Sequence, residues 1–151
     1  LRTTPLPPVS ALPPNPMPDR LDLARASRAE CIIDGGLSAN GAARPWTLNG
    51  AAVSDIAKAK PLFRAKAGTT VVIAFKNQSQ IPQPMTVHGH HGRLLFVFDD
   101  GWDPFWTDTV LVQPGKTARF AFIADNPGKW LVRSAYAGLF DAGVAGWFEV
   151  A

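Results

Sequence analysis

Cysteine is nearly absent from this sequence. Cys31 is the single cysteine among 151 residues, so the chain cannot form an intramolecular disulfide. A lone cysteine also excludes every metal or redox site that is built on a CxxC motif. Disulfide usage therefore gives no indication of the compartment in which the protein works.

Runs of basic residues and long apolar stretches are absent as well. The 15 lysines and arginines exceed the 12 acidic residues by three, but they are scattered singly along the chain. A nucleic-acid site gathers such residues into a patch or stripe, so we expect no nucleic-acid partner. No apolar stretch approaches the roughly 20 residues of a membrane-spanning helix, so we expect no membrane span. The start, with neither an initiator methionine nor a signal-peptide pattern, is typical of a mature or truncated product.

Proline, in contrast, is abundant and unevenly placed. Seven of the 14 prolines fall within residues 1–18. Such a segment favours an extended polyproline II conformation and cannot join a central strand or helix. We expect residues 1–28 to form a linker, either a free tail or a strap packed along a domain, with room for one helical turn within 19–28. Residues 29–151 form the expected domain.

From residue 29 onward the chain alternates short apolar runs with glycine, proline, asparagine and aspartate. The predicted strands cover residues 30–34, 46–48, 62–65, 69–76, 85–88, 94–99, 108–112, 117–124, 130–135 and 146–150. Gly35-Gly36, Asn49-Gly50 and Pro114-Gly115 are turn signals between them. About eight to ten short strands, with a helical pattern only at residues 54–60, predict an all-β sandwich or Greek-key barrel.

The predicted strand 69–76 is apolar on both faces. Val71, Ile73 and Phe75 share one face, and Val72 and Ala74 share the other. A strand of this kind lies inside a sandwich or against another domain. This strand and the stretch Trp102 to Trp106, which is rich in aromatic residues, are therefore candidate contact surfaces.

All three histidines, His88, His90 and His91, fall within four consecutive positions. In an extended strand His88 and His90 project to the same face, a spacing that suits two ligands of a metal. A metal needs three or four ligands, however, so surface or hydrogen-bonded histidines are the alternative interpretation. Exposed histidines this close together also bind Cu(II), Ni(II) or Zn(II) loosely.

Two further sets of residues carry possible chemistry. Asp99, Asp100, Asp103 and Asp108 could do acid–base work or bind a hard cation, although Asp-Gly and Asp-Pro pairs favour turns. Ser134 has no GxSxG elbow around it, which argues against a hydrolase triad. We therefore predict loops at the carboxylates and no catalytic residue at Ser134.

Several segments resemble a known family. They read TVVIAFKN (70–77), QPMTVHGHH (83–91), WTDTVLV (106–112), PGKT (114–117), AFIADNPGKW (121–130) and DAGVAGW (141–147). In this order they resemble the last domain of bacterial multicopper oxidases. The resemblance implies a cupredoxin-like Greek-key β-barrel or sandwich, copper as cofactor, other cupredoxin domains as partners and a periplasmic or secreted location. It also implies substrate oxidation at a type 1 copper and reduction of dioxygen at a trinuclear cluster.

The first ligand motif of that domain, His-Pro-x-His-x-His-Gly, falls on residues 83–89. The resemblance places Gln83 at the first type 1 histidine and Thr86 at the type 2 histidine. His88 alone keeps its place, as a type 3 ligand. His90 follows the glycine at a position that is not a ligand in the family.

The second motif, His-Cys-His-x-x-x-His with an axial methionine, falls on residues 133–144. Arg133, Ser134 and Ala135 replace His-Cys-His, Leu139 stands at the second type 1 histidine, and Val144 stands at the axial methionine. A blue copper site needs a thiolate and two imidazoles, so the resemblance implies that this chain has no type 1 copper. The Arg133 charge would repel copper and could fill the vacated space with hydrogen bonds.

Two functional hypotheses follow from these replacements. In the first, the chain is a cupredoxin domain that has lost its copper and acts as a structural or interaction module. In the second, it belongs to a multicopper oxidase assembly in which other domains hold the coppers and His88 contributes to the trinuclear site. The genomic and proteolytic context distinguishes the two: if Leu1 follows two domains with intact His-x-His motifs, the second hypothesis is favoured.

Overall fold

Short β-strands in two sheets form most of the regular structure. The computed structural model describes residues 10–38, 40–98 and 100–151. Its elements are β1 (Ser27–Leu37), β2 (Ala43–Leu48), β3 (Arg64–Ala65), β4 (Thr70–Asn77), β5 (Gln83–Val87), β6 (Gly92–Leu94), β7 (Thr109–Val112), β8 (Thr117–Ile123), β9 (Gly128–Ser134), α1 (Ala137–Asp141) and β10 (Ala145–Val150). In the described ranges no helix has the length and apolarity that a bilayer-spanning segment needs.

The strands form two five-stranded sheets. The first sheet has the order β2-β1-β4-β8-β6 and the second has the order β3-β10-β9-β5-β7. Most neighbours are antiparallel, whereas β1 pairs with β4, and β3 with β10, in parallel. The all-β prediction is confirmed. Because the described strands of the two sheets are not hydrogen-bonded to each other, the architecture is a sandwich and not a closed barrel.

The main core lies between the sheets and follows from period-two alternation. On β4, Val71, Ile73 and Phe75 are fully buried, as the sequence pattern predicts. They pack with Phe122 of β8 and Phe148 of β10 in one cluster that joins both sheets. Burial of these side chains holds the two sheets together.

A second, smaller cluster covers the outer face of the first sheet. Val72 of β4 packs there with Ala121 and Leu95, beneath Leu21 from the segment before β1. The second apolar face of β4 is therefore covered, at Val72, by the chain's own N-terminal segment. Residues 10–16 of that segment are exposed.

Several predicted strand boundaries are wrong, and two of them have a clear physical reason. Gly35-Gly36 does not end β1, because the strand continues through a bulge to Leu37. A Cβ at Gly35 would lie 2.6 Å from the Trp46 Cα, so the glycine permits close pairing with β2. The strand predicted at 94–99 ends at Leu94, since the Phe96 N–H donates to the Gly101 carbonyl and folds the chain back.

One expected helix is absent from the described structure, and one observed helix was not expected. Residues 54–60 form turns, with the Lys58 N–H bonded to the Asp55 carbonyl, and not a helix. The short helix α1 was not predicted, because its five residues AGLFD are too few to show a helical period. The predicted turns at Asn49-Gly50 and Pro114-Gly115 are confirmed.

Candidate functional site

The chain turns sharply at Gly89, directly after β5. The strand ends at Val87, and Gly89 adopts a φ of +73°. The extended-strand premise for His88 and His90 is therefore wrong, because the turn sends the two side chains into different surroundings. His88 is half-buried on the outer side of the second sheet, whereas His90 points into the core.

His88 is held by the neighbouring strand. The Arg133 Nε–H donates to His88 Nε2 over 3.0 Å. Arginine can only donate, so Nε2 accepts and the proton of the neutral ring lies on Nδ1. Burial, and then the Arg133 charge, lower the pKa of His88, and Asp108 opposes them. In this arrangement neither ring nitrogen has a free lone pair for a metal.

His90 is enclosed by aromatic side chains and is only 3% exposed. Its ring centroid lies 4.9 Å from that of Phe122, 5.4 Å from Phe148 and 5.6 Å from Trp130. Its Nδ1 donates to the His88 carbonyl over 3.2 Å. Burial is the main cause that lowers the pKa of His90. The His90 ring therefore packs in the core, and its buried Nε2 is shielded from metal ions in solution.

His91 is the exposed member of the histidine cluster. Within the described residues, no group of three or more histidine, cysteine, aspartate or glutamate side chains is close enough to hold a metal ion. The described carboxylates lie in loops, as predicted: Asp100 and Asp103 follow β6, and Asp108 precedes β7 and lines the pocket at His88. Asp99 lies outside the described residues.

A pocket of about 410 Å³ opens beside His88 and Arg133. Its lining consists of residues 86–91, Asp108 and Arg133. The Arg133 Nη1 donates to the Ser134 carbonyl over 3.0 Å, and the guanidinium lies 5.2 Å from the Phe140 ring centroid. The ion pairs formed among the described residues do not include Arg133. Arg133 thus makes hydrogen bonds, as predicted, but it does not fill the space beside it.

Gln83 and Ser134 are fully buried at the end of the core. The Gln83 Nε2 donates to Ser79 Oγ over 3.3 Å, while Gln83 Oε1 has no hydrogen-bond partner among the described residues. Ser134 Oγ accepts the Tyr136 N–H over 3.2 Å. Val144 is fully buried in the same inter-sheet core. Core packing therefore holds these side chains.

The remaining residues of the two motifs are held by local contacts. Leu139 is partly buried and packs against the core cluster. The Thr86 hydroxyl bonds to that of Thr109 over 2.9 Å, and the exposed Ala135 donates its N–H to the Pro84 carbonyl. The sequence interpretation missed the aromatic enclosure of His90. The alternation of β8 places Phe122 inward, but nothing in the sequence shows that the chain after Gly89 returns to it.

Comparisons with known proteins identify the family and support the fold. The sequence matches the family described as Multicopper oxidase over residues 19–151. Over 87 residues it is 32% identical to the multicopper oxidase MmcO of Mycobacterium tuberculosis, a match that covers 58% of this chain and 16% of that protein. The crystal structure of a multi-copper oxidase from Pseudomonas thermotolerans has a TM-score of 0.73 and 26% identity, over 94% of this chain and 33% of that one.

A second solved structure, Lac15 from a marine microbial metagenome, matches with a TM-score of 0.65 and 26% identity. That match covers 99% of this chain and 32% of the Lac15 chain. The chain thus spans about a third of these solved structures and 16% of the curated relative. It is therefore a cupredoxin domain of the multicopper oxidase family.

Proposed function

We propose that this chain is a copper-free cupredoxin domain that acts as a structural or interaction module. The observation that carries the proposal is the hydrogen bond from Arg133 Nε to His88 Nε2. It joins a fixed cation to the one histidine that keeps its place in the ligand motifs. A metal could reach this nitrogen only if the hydrogen bond broke and the cation moved.

The residues at the type 1 positions do not fit copper. That site requires a cysteine thiolate and two imidazoles. Ser134 supplies an alcohol that already accepts the Tyr136 N–H, and Gln83 supplies an amide. Leu139 and Val144 supply hydrocarbon, which packs as core.

The single thiol of the chain does not replace the missing ligand. Cys31 belongs to β1 in the first sheet and is fully buried. Burial, and secondarily Glu30, raise its pKa to about 12. A metal binds the thiolate, and this thiol is held in its protonated form.

Other cupredoxin domains are the proposed partners, in a periplasmic or secreted protein. The solved relatives are about three times as long as this chain, which supports a setting with further domains. Apolar side chains are available for contact in the loop after β6, where Phe96, Val97 and Phe98 are 50%, 79% and 85% exposed. Exposed apolar residues of this kind mark interaction sites. Trp102 and Trp106 of the same loop are partly buried beside the outer cluster.

The alternative, a copper-dependent oxidase assembly, rests on His88, which keeps the type 3 position. The test is the copper content of the purified chain after copper loading and desalting, together with its visible spectrum. We expect no retained stoichiometric copper and no blue band. A blue band would overturn the proposal, and stoichiometric copper that H88Q abolishes would favour the assembly. H91Q is the matched control, because His91 is the exposed histidine.

A further inference from the structure

We propose that the pocket beside His88 is a carboxylate-binding site, with the Arg133 guanidinium as its main donor. This inference rests on the proposed function, because a pocket that held copper would have no room for it. The carboxylate belongs either to a small free molecule or to an acidic side chain of a neighbouring domain. Carboxylate fits because its two oxygens match the planar fork of a guanidinium.

Arg133 has unused donors. A guanidinium carries five N–H groups, and hydrogen bonds to His88 and to the Ser134 carbonyl use two of them. Its Nη2 makes no hydrogen bond with the described residues. These two bonds and the contact with Phe140 fix the orientation of the fork before any ligand binds.

The Arg133 charge has no counter-ion in the described structure. Arg44 and Arg64, in contrast, pair with Asp34 and Glu149 at 2.9 Å and 2.8 Å. Arg133 is half-buried in the outer face of the second sheet, where water screens its charge only in part. A bound anion would supply the missing negative charge.

The turn after β5 contributes three residues to the lining of the same pocket. Gly89, His90 and His91 all line it, and their N–H groups donate no hydrogen bond within the described residues. Gly89 has the left-handed conformation found in turns whose consecutive N–H groups form anion-binding concavities. Arg133 and three residues whose backbone N–H groups have no partner among the described residues thus border one pocket of about 410 Å³, which is large enough for a carboxylate and its neighbouring atoms.

One charged group in the lining opposes this binding. Asp108 is exposed at the rim, where its carboxylate accepts the Thr109 hydroxyl over 3.0 Å. The other titratable side chains of the lining are His88, which accepts from Arg133, His90, whose ring is buried, and the exposed His91. Removing the Asp108 charge should therefore strengthen anion binding, whereas removing the Arg133 charge should weaken it strongly.

The test is an NMR titration of the full chain with sodium acetate, against sodium chloride at equal ionic strength. We expect saturable shifts at the Arg133 Nε–H and at the amides of residues 89–91. R133Q should weaken binding by about tenfold or more, as expected when a charge-assisted hydrogen-bonded contact is lost. D108N should strengthen it by roughly two- to fivefold, since one rim charge is removed. R64Q, which removes a cation from the same sheet, should leave it unchanged.

Shifts that do not saturate, or an acetate affinity that R133Q leaves unchanged, would overturn the proposal. D108N keeps the guanidinium and so remains informative if R133Q does not fold; weaker acetate binding in D108N would also overturn it.

A second titration, with an aspartate whose two termini are blocked, distinguishes a small free carboxylate from an acidic side chain of a neighbouring domain. If the blocked aspartate binds more tightly than acetate, the site takes a side chain of a neighbouring polypeptide. If the two bind equally, the site takes small carboxylates. Copper content is measured separately, so failure here leaves the copper-free proposal standing.

Discussion

Gly89 lies directly against the indole of Trp130. A Cβ at position 89 would stand 2.2 Å from Trp130 Cε3, and the backbone at this residue has a φ of +73°. Both facts require glycine here. The contact fixes the turn that separates His88 from His90, and so it shapes the whole candidate site.

Replacing this glycine should therefore be costly. We expect G89A to lower the free energy of unfolding by more than about 2 kcal/mol, measured by urea denaturation, because a backbone penalty and a clash add together. The matched control is G115A, at a φ of +67° with nothing within 4 Å of the added Cβ. Equal losses in the two variants would contradict a role for the Trp130 contact.

The buried His90 should make stability depend on pH. Its folded pKa lies below the ordinary value of 6.5, mainly because burial disfavours the charged ring. As the pH falls below about 6.5, the unfolded chain therefore takes up a proton before the folded chain does, and the free energy of unfolding declines. Above that pH the contribution is complete. The loss levels off once the folded protein is protonated as well.

Urea denaturation measures this dependence at pH values from about 5 to about 8, the range in which histidine titrates. H90N should flatten the curve, since asparagine retains a donor for the His88 carbonyl without a titrating group. His88 contributes with the same sign, as its pKa is also lowered. A curve for H90N as steep as that of the unmodified chain would show that His90 is not responsible.

Leu21 should stabilise the domain although it lies outside the two sheets. It is 6% exposed and covers Val72 and Ala121 on the outer face of the first sheet. We expect L21A to cost roughly 2–4 kcal/mol of unfolding free energy, as for other buried leucines. L12A is the matched control, because Leu12 is 89% exposed. If both variants unfold at the same urea concentration as the original chain, the segment does not pack as a strap.

Cys31 should be chemically silent in the folded protein. The side chain is fully buried, and burial raises its pKa to about 12. We expect Ellman's reagent to label it only after denaturation, because the thiolate is the reactive form. Rapid labelling of the native chain would contradict the packing of β1 in the core.

The sequence was sufficient to predict the sheets but not the turn at Gly89. Strand alternation on β4 places Val71, Ile73 and Phe75 in the core because the pleat points every second side chain the same way. The burial of His90 follows no such rule. It depends on the turn at Gly89, which packs against Trp130, 41 positions after Gly89 in the chain. Long-range packing of this kind leaves no local pattern.

The site was partly predictable for a different reason. The resemblance to the family's ligand motifs implies that Gln83, Ser134 and Arg133 stand at copper-ligand positions, and a site of that composition does not suit type 1 copper. The hydrogen bond between Arg133 and His88 joins β9 to the end of β5, so its donor and acceptor atoms depend on strand pairing in the second sheet. Which residues of β5 and β9 lie opposite each other is known only from the folded chain.

The most direct test of the copper-free account is to map Cu(II) on the protein by NMR, using the broadening of amide signals near the paramagnetic ion. At equimolar Cu(II) we predict broadening confined to the surroundings of the exposed His91, removed by H91Q and reversed by a chelator. Signals of Gln83, Ser134 and Val144 should stay sharp. Chelator-resistant broadening centred on those residues, or on His88, would contradict the account.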